Sequence, residues 1–160
     1  MDAAGGVPVP ITPMYGYYSA PRWSSDGARL TFSDWLVGNG DIFIANVDGS
    51  RLTNVTGSPA ADVDPSWSPD GTSLIFVSTS GATAADRATN VVVVDADGRN
   101  VKHLMSQRES CYTPSWSPDG RQIVFTSGGA VYMMNADGSF RVRVTMPPPD
   151  SWDVAPVWIR

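Results

Sequence analysis

Pro114-Ser115-Trp116-Ser117-Pro118-Asp119-Gly120 recurs residue for residue as Pro65-Ser66-Trp67-Ser68-Pro69-Asp70-Gly71. A looser copy is Pro21-Arg22-Trp23-Ser24-Ser25-Asp26-Gly27, and a fourth begins at Pro156-Val157-Trp158. The leading prolines stand 44, 49 and 42 residues apart. Self-similarity at that period marks a propeller or a solenoid. The motif has a physical reading. Ser-Pro-Asp-Gly suits a type I turn, with Pro pre-set for the second position and Gly closing the fourth. A left-handed Gly27, Gly71 or Gly120 turns it into a bulged hairpin. The tryptophan lies on the strand entering the turn. The strand leaving it carries Leu30 and Phe32, Leu74 and Phe76, or Ile123 and Phe125. Each pair is two apart and points to one face.

Working outward, each repeat has a third strand closed by a second turn. These strands are Asp41 to Val47, Asn90 to Asp95 and Ala130 to Met134. The turns are Asn46-Val47-Asp48-Gly49, Asp95-Ala96-Asp97-Gly98 and Asn135-Ala136-Asp137-Gly138. The third strands are apolar on both faces, as a sheet packed between two neighbouring sheets requires. Fourth strands end at Val55-Thr56, Leu104-Met105 and Val144-Thr145. Four strands in about 40–45 residues make a propeller blade. The expected fold is therefore an all-β propeller of four-stranded antiparallel blades in one domain, residues 1–160. It comprises blade 1 (20–56), blade 2 (63–105) and blade 3 (112–145). Residues 7–12 read as the last strand of a preceding blade, because Ile11-Thr12 leads into Ala20-Pro21-Arg22-Trp23 as Val144-Thr145 leads into Ala155-Pro156-Val157-Trp158. Residues 156–160 read as the first strand of an incomplete blade.

Composition agrees. The 160 residues include 15 Gly and 13 Pro, many turns for this length, and 6 Trp, four of them at the repeating position as core anchors. Trp23, Trp67, Trp116 and Trp158 hold the repeating position. A net charge of −5 without a Lys/Arg cluster argues against nucleic-acid binding. The one cysteine, Cys111, excludes an intrachain disulfide and a cysteine zinc site. No apolar run approaches the roughly 18 residues of a membrane helix, so no membrane insertion is expected. Residues 1–6 lack the basic region and apolar core of a signal peptide.

The uniform turns between first and second strands, and between third and fourth, fall on one side of the disc. The other loops fall on the opposite side, and there the copies differ. The loop between second and third strands is Ser33 to Gly40, then about Ser78 to Thr89, then Ser127 to Gly129. Variation confined to one face marks where function sits. That face carries the candidate partner-binding aromatics Tyr15, Tyr17, Tyr18, Trp35, Tyr112 and Trp152; the alternative is that some cap the blade stack or form an oligomer contact. Asp62 and Asp153, both three before the motif proline, are candidate calcium ligands at the channel mouth, with Asp64 and Asp150 nearby. The competing reading is that they bond loop amides, and Tyr18 and Cys111 at the equivalent positions break any ring. His103, the one histidine, falls on an outer strand, and no Gly-x-Ser-x-Gly elbow or triad accompanies it. No catalytic residue and no cofactor are expected.

Pro-x-Trp-Ser-Pro-Asp-Gly, followed by x-x-Ile/Leu-x-Phe, an apolar strand and Asp-Gly, resembles the WD40-like PD40 repeat of TolB-type β-propellers. The resemblance covers nearly the whole chain, with Ser25 in place of proline in the first copy. It implies a disc of six or more blades, a protein-binding role, and a bacterial location outside the cytoplasm. The same repeats form the non-catalytic propeller of prolyl-oligopeptidase-like serine peptidases, which is the alternative role; a propeller piece with assembly as its only property is a third. Three blades do not close a packed ring, so either the chain is a fragment or copies of it assemble; the expectation is self-pairing, most simply as a homodimer, with the loops presented to a protein or peptide.

Overall fold

The computed structural model describes residues 10–13, 15–35, 39–80, 88–105, 110–148 and 155–158. Twelve strands form three four-stranded sheets there. The first sheet holds β1 (Tyr18–Trp23), β2 (Arg29–Asp34), β3 (Asp41–Asn46) and β4 (Thr53–Asn54). The second holds β5 (Ala61–Trp67), β6 (Ser73–Ser80), β7 (Ala88–Asp95) and β8 (Lys102–His103). The third holds β9 (Cys111–Trp116), β10 (Gln122–Ser127), β11 (Ala130–Asn135) and β12 (Val142–Arg143). Within each sheet spatial order follows chain order, and every pairing is antiparallel. These are propeller blades. Among the described residues no helix is long and apolar enough to cross a membrane.

The repeated turn is held by its own side chains. Ser68 Oγ donates to Asp70 Oδ1 at 2.6 Å and accepts from Ser73 N at 3.0 Å, while Gly71 N donates to Ser68 O at 2.9 Å. Ser24 with Asp26 and Arg29, and Ser117 with Asp119 and Gln122, repeat this network. The serine ahead of the proline position thus clamps the turn to the strand that leaves it. Ser25, standing where the others have proline, leaves the network intact.

The first strand of each blade contains a bulge that periodicity does not reveal. Pairing shifts between Ser19 and Arg22, between Val63 and Ser66, and across Thr113-Pro114. Ala20, Asp64 and Thr113 take φ of 51°, 54° and 50°, in the left-handed region. The proline that follows needs no ladder partner for an N–H it lacks. Ala155 has φ 51° ahead of Pro156, so the fourth copy keeps the same bend. Among the described residues, 155–158 nevertheless pair with no strand, and neither do 10–12; residues 7–9 and 159–160 lie outside the described ones. The fourth strands are shorter than expected, two residues each. One further bond prolongs them, from Val55, Leu104 and Val144 N to Ile42, Val91 and Val131 O.

The core lies between blades, not within them. Ile42, Ile44 and Val55 of blade 1 pack on Trp67, Leu74, Phe76, Val92 and Val94 of blade 2. The other face of blade 2, with Ile75, Val91 and Leu104, packs on Cys111, Ile123, Phe125 and Met134 of blade 3. Each blade also carries one left-handed glycine beneath its predecessor. A Cβ on Gly98 would lie 2.9 Å from Val55 O, and one on Gly138 2.7 Å from Leu104 O. Gly49 meets the backbone of Ile11 in the same way, at 3.5 Å. Ile11 thus lies against Gly49 as Val55 and Leu104 lie against Gly98 and Gly138.

Candidate functional site

Two surfaces collect the residues singled out from sequence. The first is the axis. At the three bulges and the matching bend of the fourth copy, a cleft is lined by Arg22, Asp64, Pro65, Thr113, Pro114 and Pro156. Asp64 Oδ2 accepts from Thr113 N at 3.4 Å, joining neighbouring blades at the mouth of the cleft. The bulge turns the residue before each proline inward. Without it Asp64 would lie in the ladder.

The second is the loop face of blade 1. Tyr17 N donates to Asp34 Oδ1, and Trp35 N donates to Tyr17 O, both at 3.2 Å. The Trp35 ring lies against Gly40, within 3.3 Å of where a Cβ would stand. Tyr15, Tyr17 and Trp35 are exposed. Tyr18 differs. It packs edge-on to Phe32 at 5.3 Å, and its hydroxyl donates to Pro13 O at 2.9 Å, so it is a packing residue. Tyr112 is exposed on blade 3, apart from this group. Trp152, Asp150 and Asp153 lie outside the described residues.

The metal reading of Asp62 gains no partner among the described residues, where no three His, Cys, Asp or Glu side chains cluster. Asp62 is 2% exposed. Ser58 Oγ donates to its Oδ2 at 2.9 Å, and its Oδ1 accepts no hydrogen bond. Burial pushes its carboxyl above the usual range; the Ser78, Ser58 and Thr56 hydroxyls oppose the rise, and neighbouring Asp41 adds to it. Asp41 itself is tied up by Asn54, Thr56 and Ser58. Cys111, at the place of Asp62 in blade 3, is buried with its Sγ 3.7 Å from Met105 Sδ. His103 is exposed on β8, the outer edge.

The repeat tryptophans diverge. Trp67 is 6% exposed, whereas Trp23 is 63% exposed, with no sheet among the described residues preceding blade 1. Trp116 and Trp158 are half-buried. Pattern reading missed the partner that seats Trp67. Arg29 from blade 1 stacks its guanidinium 4.5 Å over the Trp67 ring and donates from Nη2 to Gly71 O at 2.8 Å. The equivalent positions are Ser73 and Gln122, so repetition offered no signal for it.

The sequence profile of the TolB β-propeller domain, PD40, matches residues 6–85. A TolB homolog of Chlorobium luteolum is 41% identical over 58 residues, 36% of this chain and 13% of that protein. The solved structure of a putative TolB from Agrobacterium tumefaciens superposes with a TM-score of 0.73 at 24% identity, covering 88% of this chain and 53% of that one. A puromycin-hydrolyzing peptidase of Mycobacterium tuberculosis superposes with a TM-score of 0.67 at 18% identity, covering 87% of this chain and 25% of that one. The chain thus spans about half the length, or less, of these proteins. Their likeness in structure is one of fold. With the profile spanning half the chain and the turn network repeated three times, the chain belongs to the TolB β-propeller (PD40) family.

Proposed function

We propose that the chain is part of a non-catalytic β-propeller scaffold that closes into a disc and offers its loop face to a protein or peptide. One observation carries the closure. The face of blade 1 bearing Trp23 and the face of blade 3 bearing Val144 are the two halves of an interblade seam without each other. Trp23 is 63% exposed against 6% for Trp67, and Val144 is 55% exposed against 8% for its equivalent Val55. Where this chain stands alone, a second copy supplies the missing blades. The mass in solution, by light scattering behind a sizing column, tests this. Two chains per particle is the expected result, and a well-folded monomer at micromolar concentration overturns it.

The partner-binding part rests on Tyr15, Tyr17 and Trp35, exposed and gathered at one mouth of blade 1. Exposed aromatics of this kind serve as binding anchors. A location outside the bacterial cytoplasm belongs to the same reading and rests on the family alone. A second reading, the propeller portion of a hydrolase, is favoured by the fold shared with the puromycin-hydrolyzing peptidase. A catalytic domain in the same polypeptide would decide for it.

A further inference from the structure

Between blades 1 and 2 lies a cavity of about 260 Å³, walled by Val55, Phe76, Val92, Val94 and Val101, with Asp62 in its lining. The repeat gives an internal standard for this space. Strand register makes Val92 equivalent to Tyr132, since Val92 pairs with Phe76 and Tyr132 with Phe125. By the same register Val94 corresponds to Met134 and Asp62 to Cys111. Counted from Asp97-Gly98 and Asp137-Gly138, Val101 corresponds to Arg141. Between blades 2 and 3, then, a tyrosine ring, a methionine and a guanidinium stand where blade 2 presents three valines towards blade 1. There Arg141 Cζ sits 4.4 Å over the Tyr132 ring and 5.3 Å over the Phe125 ring. The first seam lacks this ring and this cation, and has a carboxylate where the second has a thiol.

We propose that this cavity is a binding site for a small arylalkylammonium ligand, its ring taking the place of the Tyr132 ring and its ammonium pairing with Asp62. The volume suits the class. A cavity of about 150 Å³ accepts a benzene ring, and drug-sized pockets begin near about 300 Å³. The wall is mainly apolar, as a ring requires, and its polar part besides Asp62 is the hydroxyls of Thr56, Ser58 and Ser78 and the imidazole of His103. Asp62 is 98% buried by its 2% exposure, and its Oδ1 has no hydrogen-bond partner. A carboxylate buried without a cation is costly, and an ammonium donor removes the deficit. Among the described residues the one ion pair is Arg99 with Asp97, so His103, which lines the same cavity, is not within ion-pair distance of Asp62. This site is independent of the loop-face reading.

The test is calorimetric titration of the purified protein at pH 7 with 2-phenylethylammonium chloride and with its neutral counterpart 2-phenylethanol. The ammonium is expected to bind about tenfold tighter than the alcohol. Asp62→Asn should erase that preference while leaving the alcohol's affinity unchanged. Val101→Arg and, separately, Val92→Tyr, which copy blade 3, should abolish binding of both; two filling variants guard against one failing to fold, as judged by its thermal melt. Absence of binding up to about 10 mM, equal affinity for the two probes, a preference that survives Asp62→Asn, or binding that survives a folded filling variant each overturns the proposal.

Discussion

Ser68 makes one hydroxyl serve two neighbours, donating to Asp70 and accepting from Ser73 N. Ser68→Ala leaves the Ser73 N–H without a partner in a half-buried turn, at a cost of about 1–2 kcal/mol; urea unfolding should show a lower midpoint at unchanged slope. The same network sets the acid response. Asp26, Asp70 and Asp119 are held below their ordinary pKa chiefly by the Ser24, Ser68 and Ser117 hydroxyls, and Asp48 and Asp137 by Ser50 and Ser139. A carboxyl depressed in the folded state contributes stability that is complete above its unfolded value, 3.8 here, and is lost as pH falls below it. Asp62 has the opposite sign. Its raised pKa favours the folded state as pH falls towards 3.8, and opposes it once the group ionises. Melting temperature should therefore rise as pH drops from 7, then fall below about pH 4. Asp62→Asn should be more stable than the parent at pH 7 and lose the rising limb. A flat profile from pH 7 to 4 in both proteins would count against the assignment.

The strands and turns were readable from sequence because each is set by local chemistry. Apolar residues two apart, an Asp-Gly at each turn and a tryptophan ahead of it need no distant contact to be recognised. What stayed hidden depends on contacts between blades. Ala20, Asp64 and Thr113 are three different residues in one left-handed bend, so no residue type announced the bulge. Arg29 is a single side chain reaching a neighbouring blade, and nothing in the sequence around Tyr18 announces that Phe32 and Pro13 hold it. The glycines show how local and inter-blade demands separate. Gly27 has φ +69° and open space around it, so Gly27→Ala should cost only the left-handed penalty of about 1–2 kcal/mol. Gly98 has φ +83° and Val55 O at 2.9 Å from where a Cβ would stand. Gly98→Ala must also push blade 1 off blade 2, for a total of about 2–5 kcal/mol. Equal melting temperatures for the two variants would mean that the blades do not touch there.

In the molecule as a whole, each seam joins two unlike faces, so stacking has a direction and leaves one of each kind open. Trp23 and Val144 lie on these two open faces. The consequence is a separation of effects that a folded monomer would not show. Trp67 is buried in a seam between blades of the same chain, and Trp67→Ala should cost about 3–5 kcal/mol of stability. Trp23 has the same place in its repeat but lies mostly in water, so Trp23→Glu should leave unfolding of the isolated chain within about 0.5 kcal/mol of the parent. In the proposed closed disc the same substitution would set a carboxylate in an apolar seam, where it lacks a partner. Val144→Asp does so from the other side. Sedimentation equilibrium should find either variant dissociated under conditions where the parent is paired, with melts that no longer depend on protein concentration. Pairing that persists in both variants would place the contact on some other surface, and the two open blade faces would then be closed by something other than each other.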